Sequence, residues 1–143
     1  MTTVCATMTN FIETGIEGLL LFEPKIWGDD RGHFFEAYNK DTFAEGGIHC
    51  DFVQDNQALS SYGVLRGLHY QVGEMAQAKL VRALHGEVLD VVVDLREDSA
   101  TYGKSYSVLL SAENQRQMFV PRGFAHGYVV LSEKAVFFYK CDN

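Results

Sequence analysis

Residues Glu87 to Leu95 read EVLDVVVDL, and the alternation in this stretch decides the fold class. Side chains on a strand point to opposite faces in turn, so one face carries Leu89, Val91, Val93 and Leu95. The other carries Val88, Asp90, Val92 and Asp94. Similar β-rich runs stand at residues 19–26, 33–38, 79–84, 106–110, 118–120, 128–131 and 135–139. The clusters WGDDRG, EGGI, SSYG, HGE, EDSATYG, SAENQ and PRG punctuate them as turns. One segment, residues 40–45, reads as a helix, with Asn39 or Asp41 as its cap and Gly46-Gly47 as its stop. Many short strands with this turn spacing predict an all-β jelly-roll sandwich or barrel with at most one or two short helices.

The chain has 143 residues, enough for one domain spanning 1–143 with a real core, and it shows no repeat, low-complexity tract or linker. Its formal net charge of −7 argues against a broad nucleic-acid or anionic-membrane surface. A few local cations would still suffice for a phosphorylated ligand. Cys5, Cys50 and Cys141 are odd in number and widely spaced, without a metal or CxxC pattern, so free thiols in a reducing cytoplasm are expected. The start, MTTVCATMTNF, has neither the basic nor the apolar region of a signal peptide. Apolar runs such as 18–22 and 88–93 are too short to span a bilayer.

The chemistry starts with VLRGLHYQ, Val64 to Gln71. On a regular strand His69 shares a face with Leu65 and Gly67, and Arg66 points the other way. The two serve one pocket only if the strand is irregular, and Gly67 is where a bulge or kink would fall. The bland alternative is a buried histidine beside a surface arginine. A second histidine stands in VPRGFAHGYVVL, residues 120–131, where the spacing P-x-G-x-x-H matches the core of the second cupin motif. A turn followed by a strand-capping histidine is the plain reading of that match. Metal-binding cupins carry H-x-H followed by a glutamate, and here Gln71 stands two after His69. Glu74 with His69 and His126 would make a two-His-one-carboxylate set, but Lys79 nearby opposes a cation, so no metal is expected.

Further polar residues sit in apolar surroundings. DDRGHFFEAYN offers Arg31, Phe34 and Glu36, with Phe34 and Glu36 on one strand face; FVQDNQALS offers Gln54, Asp55 and Asn56; AKLVRAL offers Lys79 and AVFFYKC Tyr139. Each alone reads easily as a turn, edge or core residue. Together, DDRGHFFE, FVQDNQALSSYGVLRGLHYQ, the stretch from QAKLVRALHGEVLD to FAHGYVVLSE, and FFYKC resemble the dTDP-4-dehydrorhamnose 3,5-epimerase family. The likeness keeps order and spacing from about Gly15 to the last residue.

The resemblance implies a cupin jelly roll, a homodimer in which N-terminal strands join the partner's sheet, and catalysis without metal or cofactor. By position, His69 matches the family's general base, Tyr139 its proton donor, and Lys79 the cation beside the substrate carbonyl. His126 lines the same pocket, and Arg31, Phe34, Glu36, Gln54, Asp55, Asn56 and Arg66 fall on substrate-binding positions. Arg31 and Phe34 are expected to reach into the neighbouring subunit. The implied substrate is a dTDP-linked 4-keto-6-deoxyhexose and the implied location the cytoplasm.

The residue types suit that chemistry. Protons on C3 and C5 flank a ketone, so removing either gives an enolate. An imidazole with a pKa of ~6.5 is matched to take the proton, and a lysine in a dry site to hold the oxyanion. Inversion needs a separate acid on the other face, which a phenol of pKa ~10 supplies. The resemblance puts the carboxylate that orients the histidine beyond Asn143, so either the natural chain is longer or this one is impaired, unless Asp90 or Asp94 takes that place. The rival readings are an enzyme acting at C3 or C5 alone, a 3,4-ketoisomerase, a non-catalytic nucleotide-sugar-binding module and a metal-dependent cupin.

Overall fold

A computed structural model describes residues 10–143. Cys5 lies outside the described residues. The chain runs through β1 (Asn10–Glu13), β2 (Leu20–Glu23), β3 (Trp27–Asp29), β4 (Gly32–Phe34), α1 (Lys40–Glu45), β5 (Gln54–Ser61), β6 (Leu65–His69), a 3-10 turn (Gly73–Met75), β7 (Lys79–His85), β8 (Glu87–Asp94), β9 (Ser105–Ser111), β10 (Gln117–Val120), β11 (Phe124–Val130) and β12 (Lys134–Cys141). Two antiparallel sheets form the expected sandwich, one ordered β1-β2-β10-β7-β12-β5 and the other β6-β11-β8-β9.

The alternation that opened the sequence reading shows which face of β8 turns inward. Val88, Asp90, Val92 and Asp94 are buried, whereas Leu89, Val91 and Val93 are only partly so. The face carrying the two carboxylates therefore lies between the sheets. Around it pack Val81, Ala83, Leu110, Met118, Val130 and Phe137. A second apolar cluster covers the outer face of the larger sheet, where Phe43 of α1 meets Phe22 and Tyr38 at ring separations of 4.7 and 4.9 Å. Asn39 starts α1 as read, its Oδ1 accepting from the backbone of Asp41 and Thr42 at 3.0 and 3.2 Å.

The strand read at 19–26 stops at Glu23, because Pro24 has no N–H to continue the ladder. The strand read at 33–38 is also shorter. Gly32–Phe34 pairs only with Trp27–Asp29, in a hairpin held by Asp29 Oδ1 accepting from the Arg31 backbone at 2.8 Å. Beyond Phe34 the chain turns to deliver Asn39 to α1, so Glu36 does not share a strand face with Phe34. Strand β5 was hidden in QDNQALSS, which lacks β-branched residues, yet it pairs with β12 along its whole length. Among the described residues no helix is long and apolar enough to cross a membrane.

Candidate active site

The irregularity needed in β6 is present. His69 lies opposite His126 and Arg66 opposite Tyr128, so three steps along β6 match two along β11. Residues opposite one another in an antiparallel pair point to the same face. His126 and Tyr128 face the interior, and the bulge therefore brings both His69 and Arg66 to the inner side. Glycine is required on both strands here. A Cβ on Gly67, whose φ is +109°, would stand 2.6 Å from Gly127 Cα and from the His126 carbonyl oxygen. A Cβ on Gly127 would stand 2.8 Å from the Arg66 carbonyl oxygen.

A cavity of about 340 Å³ opens at this end of the sandwich, and His69, Lys79, His126 and Tyr139 all line it. The smaller sheet supplies His69 and His126, the larger one Lys79 and Tyr139. Tyr70, Gln71 and Gln77 complete the polar part of its wall. Lys79 Nζ stands 5.5 Å from the centre of the Tyr139 ring. Burial pushes the Tyr139 phenol above its ordinary range; a hydrogen bond with Asn56 and the charge of Arg66 oppose this without reversing it. Tyr139 is thus held protonated.

Asp90 is wholly buried and binds His126 Nε2 through both oxygens, at 2.7 and 2.9 Å. Burial raises its pKa, while His126 and Lys79 pull it down. Asp94, also wholly buried, accepts from Arg96 N, Nε and Nη2 at 3.0, 3.0 and 3.1 Å and from the hydroxyls of Ser99 and Thr101 at 2.6 Å each. Neither aspartate is hydrogen-bonded to His69, so neither takes the place of the carboxylate that would orient that ring. The first orients His126 instead, and the second locks the turn after β8.

The other expected residues divide by strand face. Asn56 lies opposite Tyr139 and Gln54 opposite Cys141, so both point inward, joined by a 3.0 Å bond from Gln54 Nε2 to Asn56 Oδ1. Asp55, between them, points outward and pairs with Lys140 at 3.0 Å; the structure does not bring it to the cavity. Arg31, Phe34 and Glu36 are exposed on or just after the β3–β4 hairpin, and none of them lines the cavity. Arg31 is bound to Asp29 at 2.6 Å. Glu74 sits exposed in the 3-10 turn and is absent from the cavity wall, and among the described residues no group of three or more His, Cys, Asp or Glu is placed to hold a metal ion.

Charge singles out the same region. In this acidic chain Arg31, Lys40, Arg96, Arg116, Arg122 and Lys140 each lie within 4 Å of a carboxylate. Among the described residues Lys25, Arg66, Lys79, Arg82, Lys104 and Lys134 have no such partner, and of these Arg66 and Lys79 face the inner side of the sandwich. Two cations facing inward without counter-ions make a site for an anion. Sequence reasoning missed Ser60, which accepts from Arg66 Nε at 2.8 Å, and Tyr128, which lies opposite Arg66 on β11. It also missed the His126–Asp90 pair, although the alternation of β8 had already set Asp90 apart.

A family model described as dTDP-4-dehydrorhamnose 3,5-epimerase matches residues 13–143. The dTDP-4-dehydrorhamnose 3,5-epimerase of Shigella flexneri is 55% identical over 135 residues, covering 94% of this chain and 75% of its own length. The crystal structure of the enzyme of that name from Elizabethkingia anophelis superposes with a TM-score of 0.90 at 57% identity, over 94% of this chain and 74% of that one. A dTDP-6-deoxy-D-glucose-3,5-epimerase from Legionella pneumophila, in complex with dTDP-4-keto-L-rhamnose, also gives 0.90, at 51% identity over 95% and 72%.

Proposed function

The chain belongs to the dTDP-4-dehydrorhamnose 3,5-epimerase family, and from that premise we propose that it inverts C3 and C5 of dTDP-4-dehydro-6-deoxy-D-glucose to give dTDP-4-dehydro-L-rhamnose. The observation that carries the mechanism is the origin of the cavity's side chains: His69 comes from one sheet and Tyr139 from the other. A sugar ring lying between the sheets has a base on one face and an acid on the opposite face. Inversion requires that arrangement.

The neutral imidazole of His69 takes the proton from C3 or C5, and the C–H electron pair moves into the enolate of the C4 ketone. Lys79 Nζ and His126 face the oxygen on which charge develops and stabilise it. Tyr139 gives its proton to the carbon from the other side and regains one afterwards. Its raised pKa favours this, because a phenol that ionised readily would offer no proton. The carbon skeleton is neither oxidised nor reduced overall, so the reaction calls for no redox cofactor. Arg66, Asn56 and Gln54 hold the nucleotide end. We further propose a cytoplasmic homodimer with shared N-terminal strands, in which Arg31 and Phe34 on the exposed hairpin reach the partner's cavity.

Incubation with the 4-keto sugar nucleotide in deuterium oxide, followed by NMR at both carbons, tests this reading. The intact protein should incorporate deuterium at C3 and C5. His69→Ala should lose both, by at least the ~10²–10⁴-fold typical of an acid–base residue. Tyr139→Phe should keep exchange and lose net inversion. Deuterium at one carbon alone would mark a single-site epimerase, and exchange surviving in His69→Ala would place the base elsewhere.

A further inference from the structure

Arg66 reaches across the open edge of the sandwich. It sits on β6, the edge strand of one sheet, and its Nε donates to Ser60 Oγ at 2.8 Å on β5, the edge strand of the other. Ser60 is buried and lies opposite Ala135, so its hydroxyl faces inward. Burial pushes the phenol of Tyr128 up, while the Arg66 charge and a hydrogen bond with Ser60 lower it. The guanidinium donates to Ser60, and the Ser60 and Tyr128 hydroxyls share a hydrogen bond. Tyr128 is itself fixed by stacking on Phe137, with ring centres 4.0 Å apart.

With Nε occupied, the two terminal nitrogens of Arg66 have no acceptor among the described residues. We propose that Ser60 and Tyr128 are positioning residues that aim the Arg66 guanidinium, so that its paired Nη groups meet a nucleoside diphosphate. The inference rests on the function proposed above and deepens it. Along β11 the partners of His69 and Arg66 are two residues apart, or about 7 Å. A hexose at His69 thus carries its diphosphate towards Arg66. A guanidinium fixed through Nε keeps its fork geometry before the ligand arrives, so less side-chain freedom is lost on binding. A lysine at this position would lack both the fork and the tether.

A purely structural role for this chain of bonds predicts something different, because a clasp between sheet edges would act on every ligand alike. The test is therefore calorimetric titration of the intact chain and of Ser60→Ala with dTDP and with thymidine, beside steady-state kinetics. Ser60→Ala should weaken dTDP and raise KM by about 5–30-fold, with kcat within about twofold and thymidine affinity unchanged. Ser60→Thr, which restores the hydroxyl, should recover most of the loss. Tyr128→Phe keeps the stacking and removes only the hydroxyl, and should give a smaller rise confined to dTDP. It serves as the probe if Ser60→Ala fails to fold. Equal losses for dTDP and thymidine, or no loss in Ser60→Ala and Tyr128→Phe, would overturn the inference. A wild-type chain that binds neither ligand would overturn the functional reading first, and this inference with it.

Discussion

Replacing Gly127 by alanine tests the link between strand geometry and chemistry. The new Cβ would stand 2.8 Å from the Arg66 carbonyl oxygen, 3.2 Å from Gly67 Cα and 3.3 Å from Leu68 Cδ2. Two of these three contacts are backbone, so no side chain can simply swing away. Moving the carbonyl from 2.8 Å to the 3.4 Å of ordinary contact pushes β6 off β11 by about 0.6 Å. Overpacking of this kind costs roughly 1–3 kcal/mol of stability. The functional cost is more specific, because His69 and Arg66 both ride on β6. A misplacement near 1 Å costs about 10²-fold, so 0.6 Å should cost about tenfold in kcat through His69, with KM rising through Arg66. Gly103→Ala is the control. Its Cβ meets nothing within 4 Å, and the φ of +81° costs roughly 1–2 kcal/mol in strain. Urea unfolding should show both variants destabilised to a similar extent, and only Gly127→Ala should be impaired in kcat and KM. Unchanged kinetics in Gly127→Ala would refute the claim that the bulge sets the site.

Two further outcomes follow from the buried and surface charges. Burial raises the pKa of Asp94, but its bonds from Arg96, Ser99 and Thr101 outweigh this and hold the carboxyl well below the usual carboxylate range. The resulting stabilisation is present above the unfolded value near ~4 and is lost as pH falls through the folded one, so Asp94→Asn should lower stability by roughly 2–4 kcal/mol at pH 7. The gap to wild type, read by urea midpoints, should narrow below about pH 4, and a gap independent of pH would sink the assignment. Asp55→Asn removes only an outward-facing pair with Lys140 and should leave dTDP affinity within about twofold. A tenfold loss by titration would return Asp55 to the site.

The sheets were legible because their signal is local. The alternation of EVLDVVVDL, the Asn39 cap and the glycine-bounded turns each act over a few residues, and the structure keeps them. Strand β5 was not legible, because QDNQALSS has little intrinsic preference for a strand and is held by its pairing with β12. That pairing also turns Asp55 outward, towards Lys140. Three consecutive polar residues read as one binding cluster, but a strand sends the middle one to the opposite face. The end of the 33–38 run was lost for the converse reason, since the apolar residues at Phe35 and Tyr38 serve packing against Arg82 and Phe43 rather than a ladder.

His69, Lys79, His126 and Tyr139 were legible as candidates but not as an arrangement, which depends on pairing between distant strands. His69 on β6 and Tyr139 on β12 line one cavity from opposite sides only because the two strands belong to different sheets. The same arrangement turns Lys79 and Arg66 inward with no carboxylate within 4 Å of either among the described residues, so their charge is balanced only from further off. Asp90 supplies part of that balance from beneath, lowered by Lys79 and bound to His126, where it cannot compete with an incoming diphosphate for Arg66. A net acidic chain and inward-facing cations at the cavity end are therefore not in conflict. Of the cations that no carboxylate approaches within 4 Å among the described residues, Arg66 and Lys79 are the two that an anionic sugar nucleotide would meet on the inner side of the sandwich.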